Sequence, residues 1–108
     1  MALEVTKETF HAEVESSSGL VLVDFWGPAC VPCLALMPFV DELAEKHGQD
    51  IKVVKVDSSK NRRLCIDLKV MGLPTFLMYK KGQEVDRLSG KDVNKEELSK
   101  FVELHLIK

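Results

Sequence analysis

Apolar and polar positions change period several times along the chain, and each change marks an element. From Leu20 to Phe25 the apolar residues run on without alternation, interrupted only by Asp24. A run this short, β-branched and aromatic, bounded by Ser16-Ser17-Ser18-Gly19 and Gly27-Pro28, predicts a strand buried on both faces. Upstream, Thr6 stands at an N-cap position and Phe10 and Val14 recur four apart, which predicts a first helix; Thr9 replaces the usual Glu at the third helical position, so the capping box is incomplete. Downstream, Leu34, Met37, Val40, Leu43 and Ala44 recur at helical spacing and Gly48 supplies the stop. This second helix is expected to begin at a pair of cysteines, Cys30 and Cys33.

The alternation then repeats. Ile51 to Val56 reads as a strand, Asn61 to Leu68 as a short helix, and Thr75 to Tyr79 as a strand ending in the turn Lys80-Lys81-Gly82-Gln83, with Glu84 to Ser89 as its hairpin partner. Asn94 caps a closing helix that has Glu96 and Glu97 in its first turn and His105 and Lys108 at its end, as the helix dipole favours. Strands alternating with helices first and a hairpin later predict an α/β fold, a mixed sheet covered on both faces in three α/β/α layers. The cysteines fall at the C-terminal end of a strand, where open α/β sheets place their sites.

Composition narrows the possibilities. With 108 residues, of which 45% are hydrophobic, the chain is expected to form a single domain over 1–108 around one modest core. Fifteen basic against 17 acidic residues leave a net charge of -2, which offers no electrostatic footprint for nucleic acid or an anionic membrane. Neither a membrane span nor a secretory leader is legible, so a cytoplasmic location is expected. Three cysteines are too few for a disulfide scaffold, and in a reducing compartment a disulfide is transient and working.

Cys30-Val31-Pro32-Cys33 carries the chemistry. Two cysteines three positions apart at the first turn of a helix can close a small disulfide ring, while free backbone N–H groups and the positive helix end stabilise a thiolate at the N-terminal sulfur. Cys30 is the candidate nucleophile. Cys33, one turn on, is the candidate resolving thiol that displaces product from a mixed disulfide. Pro32 restricts the backbone between them and has no N–H to lose at a helix start. A zinc site is the competing reading, but it needs four ligands, and only Cys65 and the scattered His11, His47 and His105 remain. No metal or other cofactor is expected. Asp24, a lone carboxylate in Val21-Leu22-Val23-Asp24-Phe25-Trp26, should be desolvated and hold a proton near neutral pH. It reads equally as a general base for Cys33 or as an acid binding loop N–H groups. Cys65 falls on the apolar stripe of the short helix and is read as a packing thiol.

Taken together, V-D-F-W before the cysteines, C-x-P-C itself, Pro38, K-V-D at Lys55 to Asp57, G-L-P-T-F at Gly72 to Phe76, and the K-K-G-Q-E turn followed by Gly90 make the chain resemble a thioredoxin over nearly its whole length. The resemblance implies a central mixed five-stranded sheet with about four helices. It also implies a protein-disulfide reductase working by dithiol–disulfide exchange, recharged by a flavoprotein thioredoxin reductase and acting as a monomer on disulfide-containing proteins. By the same resemblance Asp24 is the family's buried acid, Lys55 its nearby lysine and ion-pair partner, and Pro74 its cis-proline. The resemblance further implies a substrate-binding rim of Ala29, Val31, Pro32, Leu73, Pro74 and Gly90, and Trp26 is expected to pack beneath the site. The usual motif is W-C-G-P-C, whereas Ala29 and Val31 flank Cys30 here, as in atypical thioredoxins of anaerobic bacteria. The altered rim raises two alternatives, a dedicated electron donor to one enzyme and a non-redox binding module.

Overall fold

The run from Leu20 becomes a strand in which Val21 to Phe25 are all buried, and it lies at the centre of the sheet. The computed structural model describes residues 2–106. In chain order these form β1 (Leu3–Glu4), a π-helical turn (His11–Glu15), β2 (Leu20–Trp26), α1 (Val31–Lys46), β3 (Ile51–Asp57), α2 (Arg62–Asp67), β4 (Thr75–Lys80), β5 (Gln83–Ser89) and α3 (Lys95–Leu106). The five strands stand in the order β1-β3-β2-β4-β5. β3 runs parallel to β1 and β2, and the β2–β4 and β4–β5 pairs are antiparallel. β1, only two residues long, carries no periodicity that would reveal it in the sequence.

Successive strand residues face opposite sides. Leu22, Val53, Phe76 and Met78 pack with Leu36, Val40 and Leu43 of α1 and Leu98, Phe101 and Val102 of α3. Val21, Val23, Phe25, Val54, Val56 and Leu77 pack on the other side with Phe10, Val14 and Cys65. The result is the three-layer arrangement, with two cores separated by one sheet.

Three local details differ from expectation. The first helix is a turn of π-type: Ser16 N donates to His11 O, five residues back, at 2.8 Å. Phe10 and Val14 are still both buried. At its start Thr9 Oγ1 accepts from Thr6 N at 3.0 Å, so threonine performs the reciprocal half of the capping box reserved for Glu. Gly48 does not end α1 through a left-handed cap. The helix ends at Lys46 with His47 N on Leu43 O, and glycine is needed next because a Cβ there would stand 2.8 Å from Ala44 O.

The hairpin and closing helix follow their sequence signals. Lys80 pairs with Gln83, leaving Lys81 and Gly82 as a two-residue turn with φ of 53° and 80°, the left-handed pair that matches strand twist. Asn94 Oδ1 accepts from Glu97 N at 2.9 Å, a cap worth about 1 kcal/mol. His105 meets Asp86 of β5 at 2.8 Å, tying α3 to the sheet edge; Lys108 lies outside the described residues. Among the described residues no helix is long and apolar enough to cross a membrane.

Candidate active site

β2 ends at Trp26 directly opposite Asp57, the last residue of β3, so the segments that follow both strands leave the sheet at the same edge. Gly27-Pro28-Ala29 leads from one into α1, with Cys30 N bonded to Gly27 O at 3.0 Å. Ser58-Ser59-Lys60-Asn61 leads from the other into α2. A shallow groove of about 510 Å³ opens between them, lined by Ala29, Cys30, Ser58, Ser59, Arg62 and Leu73 among others.

Cys30 is the N-cap of α1, extended at φ -90° and ψ 100°, and its sulfur accepts from Cys33 N at 3.2 Å. It is half-buried, whereas Cys33 is 2% exposed. The two are joined as a disulfide, with Cα atoms 5.2 Å apart. Val31 and Pro32 occupy the first two helical positions, where the missing N–H of proline leaves no helical bond unmade. Opening the disulfide would leave the Cys30 sulfur at a helix N-terminus with a backbone donor already aimed at it.

Asp24 is 2% exposed on the face of the sheet that carries α1. Burial pushes its carboxyl up to about 7; Lys55 opposes that rise, and Glu4 and Asp41 add to it. Lys55 is its neighbour across the β2–β3 register. Among the described residues, however, no ion pair within 4 Å joins the two. Lys55 therefore acts on Asp24 through its field, because residues opposed in a sheet share a face without their charged ends having to touch. The paired lysine is Lys52, whose Nζ meets Glu13 Oε1 at 2.6 Å.

The remaining rim residues come from distant parts of the chain. The Leu73–Pro74 peptide is cis. Pro74 O accepts from Gly90 N at 3.1 Å, and Gly90 has φ +126°, a conformation glycine adopts without strain. Leu73 shares the groove with Cys30 and Ala29, while Val31, 74% exposed, points into solvent. Trp26 lines a separate hollow with Thr6, Lys7, Asp57 and Asn61, and its Nε1 is buried without a hydrogen-bond partner among the described residues. Cys65 is a buried free thiol in the core on the α2 side. No motif marks Ser58, Ser59 and Arg62 in the sequence. Their place beside Cys30 follows from the parallel pairing of β2 and β3, since parallel neighbours bring both C-terminal ends to one edge.

A five-stranded mixed sheet with a Cys-x-x-Cys disulfide at a strand-to-helix junction defines a thiol–disulfide oxidoreductase of the α/β/α class. The chain matches the family described as "Thioredoxin" over residues 1–104. It is 42% identical to the thioredoxin of Acetoanaerobium sticklandii across 95% of its own length and 98% of the relative's. With the thioredoxin of Peptoclostridium acidaminophilum it shares 41% identity, covering 98% and 96% of the two chains. With Thioredoxin 1 of a Nostoc species the identity is 43% over 97% of each. The chain belongs to the thioredoxin family, and its activity is reduction of protein disulfides by dithiol exchange. These relationships favour neither the dedicated-donor nor the binding-module alternative.

Proposed function

We propose that this chain works in the cytoplasm as a single monomeric domain, with Cys30 as nucleophile and Cys33 as resolving thiol. The observation that carries the assignment is the asymmetry of the pair: Cys30 is partly exposed at a helix N-cap and takes a backbone N–H on its sulfur, whereas Cys33 is enclosed. Exposure and the positive helix end both favour attack by the Cys30 thiolate.

The thiolate of Cys30 attacks one sulfur of the substrate disulfide, which forms a mixed disulfide and expels a substrate thiolate that takes up a proton. Cys33 then loses its proton, with Asp24 as the base, and attacks the Cys30 sulfur. The second substrate thiolate leaves and is protonated. The chain is left with the Cys30–Cys33 disulfide, and the substrate has gained two electrons and two protons. A flavoprotein thioredoxin reductase returns the same number to the chain. Asp24 suits the base because a carboxyl titrating near 7 changes state at the pH where the reaction runs. Lys55 tunes that acid through space. Ala29, Val31, Pro32, Leu73, Pro74 and Gly90 form the surface against which substrate and reductase lie.

Cysteine replacement tests the roles. Cys33→Ser is expected to accumulate a covalent adduct with a protein substrate on non-reducing gels, and Cys30→Ser to abolish turnover. Cys65→Ser should keep activity within about twofold of the native chain. An adduct formed by Cys30→Ser in place of Cys33→Ser would reverse the two assignments.

A further inference from the structure

Arg87 stands on β5 opposite Leu77 of β4, outside the groove. Its guanidinium nevertheless reaches the segment that supplies the groove's Leu73 wall. Nη1 donates to Lys69 O and Nη2 to Leu68 O, each at 2.9 Å. The same fork donates from Nε and Nη2 to the two carboxylate oxygens of Glu84 at 2.8 and 2.9 Å. The two carbonyls belong to the C-terminal end of α2, where backbone acceptors lack helical partners.

α2 closes with Val70 N on Cys65 O at 2.8 Å and Lys69 N on Ile66 O at 3.1 Å, the paired bonds of a Schellman motif. That motif calls for a left-handed residue, usually glycine, and here Lys69 takes φ +59°. A lysine held there has reason to leave the conformation, so an external clamp on its carbonyl has something to hold. At the other end of the segment, Thr75 Oγ1 donates to Gly72 O at 2.6 Å and Gly90 N to Pro74 O at 3.1 Å. Residues 69–74 are thus fixed by Arg87 at the start and by Thr75 and Gly90 at the finish. Between them Met71 is 90% exposed.

We infer that Arg87 is a positioning residue for exchange with protein substrates, holding the 69–74 segment so that Leu73 and Pro74 face a substrate backbone seated at Cys30. This rests on the reading of Cys30 as nucleophile. Arg87 touches no reacting atom. A protein disulfide must lie along the segment to bring its sulfur onto Cys30, whereas a small disulfide needs only the sulfur. Lysine does not replace the arginine, because one ammonium cannot span two carbonyls and a carboxylate as the planar fork does.

The test uses the full chain with Arg87→Ala and the milder Arg87→Lys. Insulin, the protein disulfide, is turned over with dithiothreitol recharging the chain; a small aromatic disulfide, the chemical probe, is mixed with chain reduced beforehand and freed of dithiothreitol, which would otherwise reduce the probe directly; and amide exchange reports on the segment. Arg87→Ala should raise KM for insulin about fivefold while leaving kcat, and the rate with the small disulfide, within about twofold. Amides of residues 70–73 should exchange about tenfold faster while those of β4 stay protected. Arg87→Lys should recover less than half of the KM change, and it keeps the comparison available if the alanine variant does not fold. Equal losses on insulin and the small disulfide, or an unchanged KM with unchanged exchange at 70–73, would overturn the inference. Failure of the native chain to reduce the small disulfide would overturn the reading of Cys30 instead.

Discussion

Replacing Asp24 by asparagine isolates what the buried acid costs the fold. Asp24 is 2% exposed, and burial moves its carboxyl from 3.8 to about 7. In the unfolded chain the acid ionises near 3.8, but the native chain keeps the proton until about 7. Between those values the native state binds the extra proton, so its stability is highest below about pH 4 and is lost as pH rises toward 7. Each pH unit in that window costs about 1.4 kcal/mol. The window from 3.8 to about 7 therefore amounts to about 4 kcal/mol, fully lost by pH 8 and about half lost at pH 5.4. Asparagine cannot ionise and buries about as much polar surface as the protonated acid. Asp24→Asn should match the native protein near pH 4 and exceed it by about 4 kcal/mol at pH 8, a gain of more than about 10 °C in Tm for a chain of this size. Urea unfolding of the disulfide form from pH 4 to 8.5 measures the difference directly. The same variant should release product more slowly near neutral pH, seen as a longer-lived mixed disulfide in stopped-flow mixing. A stability difference that stays flat across pH 4 to 8 would refute the argument, since only ionisation of Asp24 can give it this slope.

Two further outcomes follow from the hairpin and the rim. Gly82→Ala should cost about 2 kcal/mol or more in urea unfolding, because φ is +80° and the new Cβ would run into Glu15 O; a loss under about 0.5 kcal/mol would show that the turn relaxes freely. Combining Ala29→Trp with Val31→Gly rebuilds an aromatic rim beside Cys30, and kcat/KM with a thioredoxin reductase from an unrelated bacterium should rise about tenfold. Fast reduction of the native chain by that enzyme, with no gain from the double change, would remove the rim from partner recognition.

Elements whose stabilising contacts lie within a few residues are legible in the amino-acid order alone. The apolar run of β2, the Asn94 cap and the Lys81-Gly82 turn each depend on local spacing or on one backbone conformation; the α1 stripe is legible only in part, since Val40 and Leu43 are buried as expected whereas Leu34 is 45% exposed and Cys33 and Leu36 complete the buried face instead. The Cys30–Cys33 site belongs with them, because a helix N-terminus and a one-turn spacing are local properties that place two sulfurs together. What the chain order could not supply was everything set by pairing across the sheet. β1 has two residues and exists through its register with Val54 and Lys55. The π-type turn is likewise a tertiary outcome, since Phe10 and Val14 are buried together against the sheet. Asp24 and Lys55 are neighbours in register without an ion pair, a distinction that depends on where the side-chain ends lie, not on which residues are present. Ser58 and Arg62 line one groove with Cys30 because β2 and β3 end together, and Arg87 reaches Leu68 and Lys69 across 19 and 18 positions of sequence. Apolar periodicity records which face of an element is buried but carries no information about the partner it is buried against, so the sulfur chemistry is local while the surface that selects its substrates is tertiary.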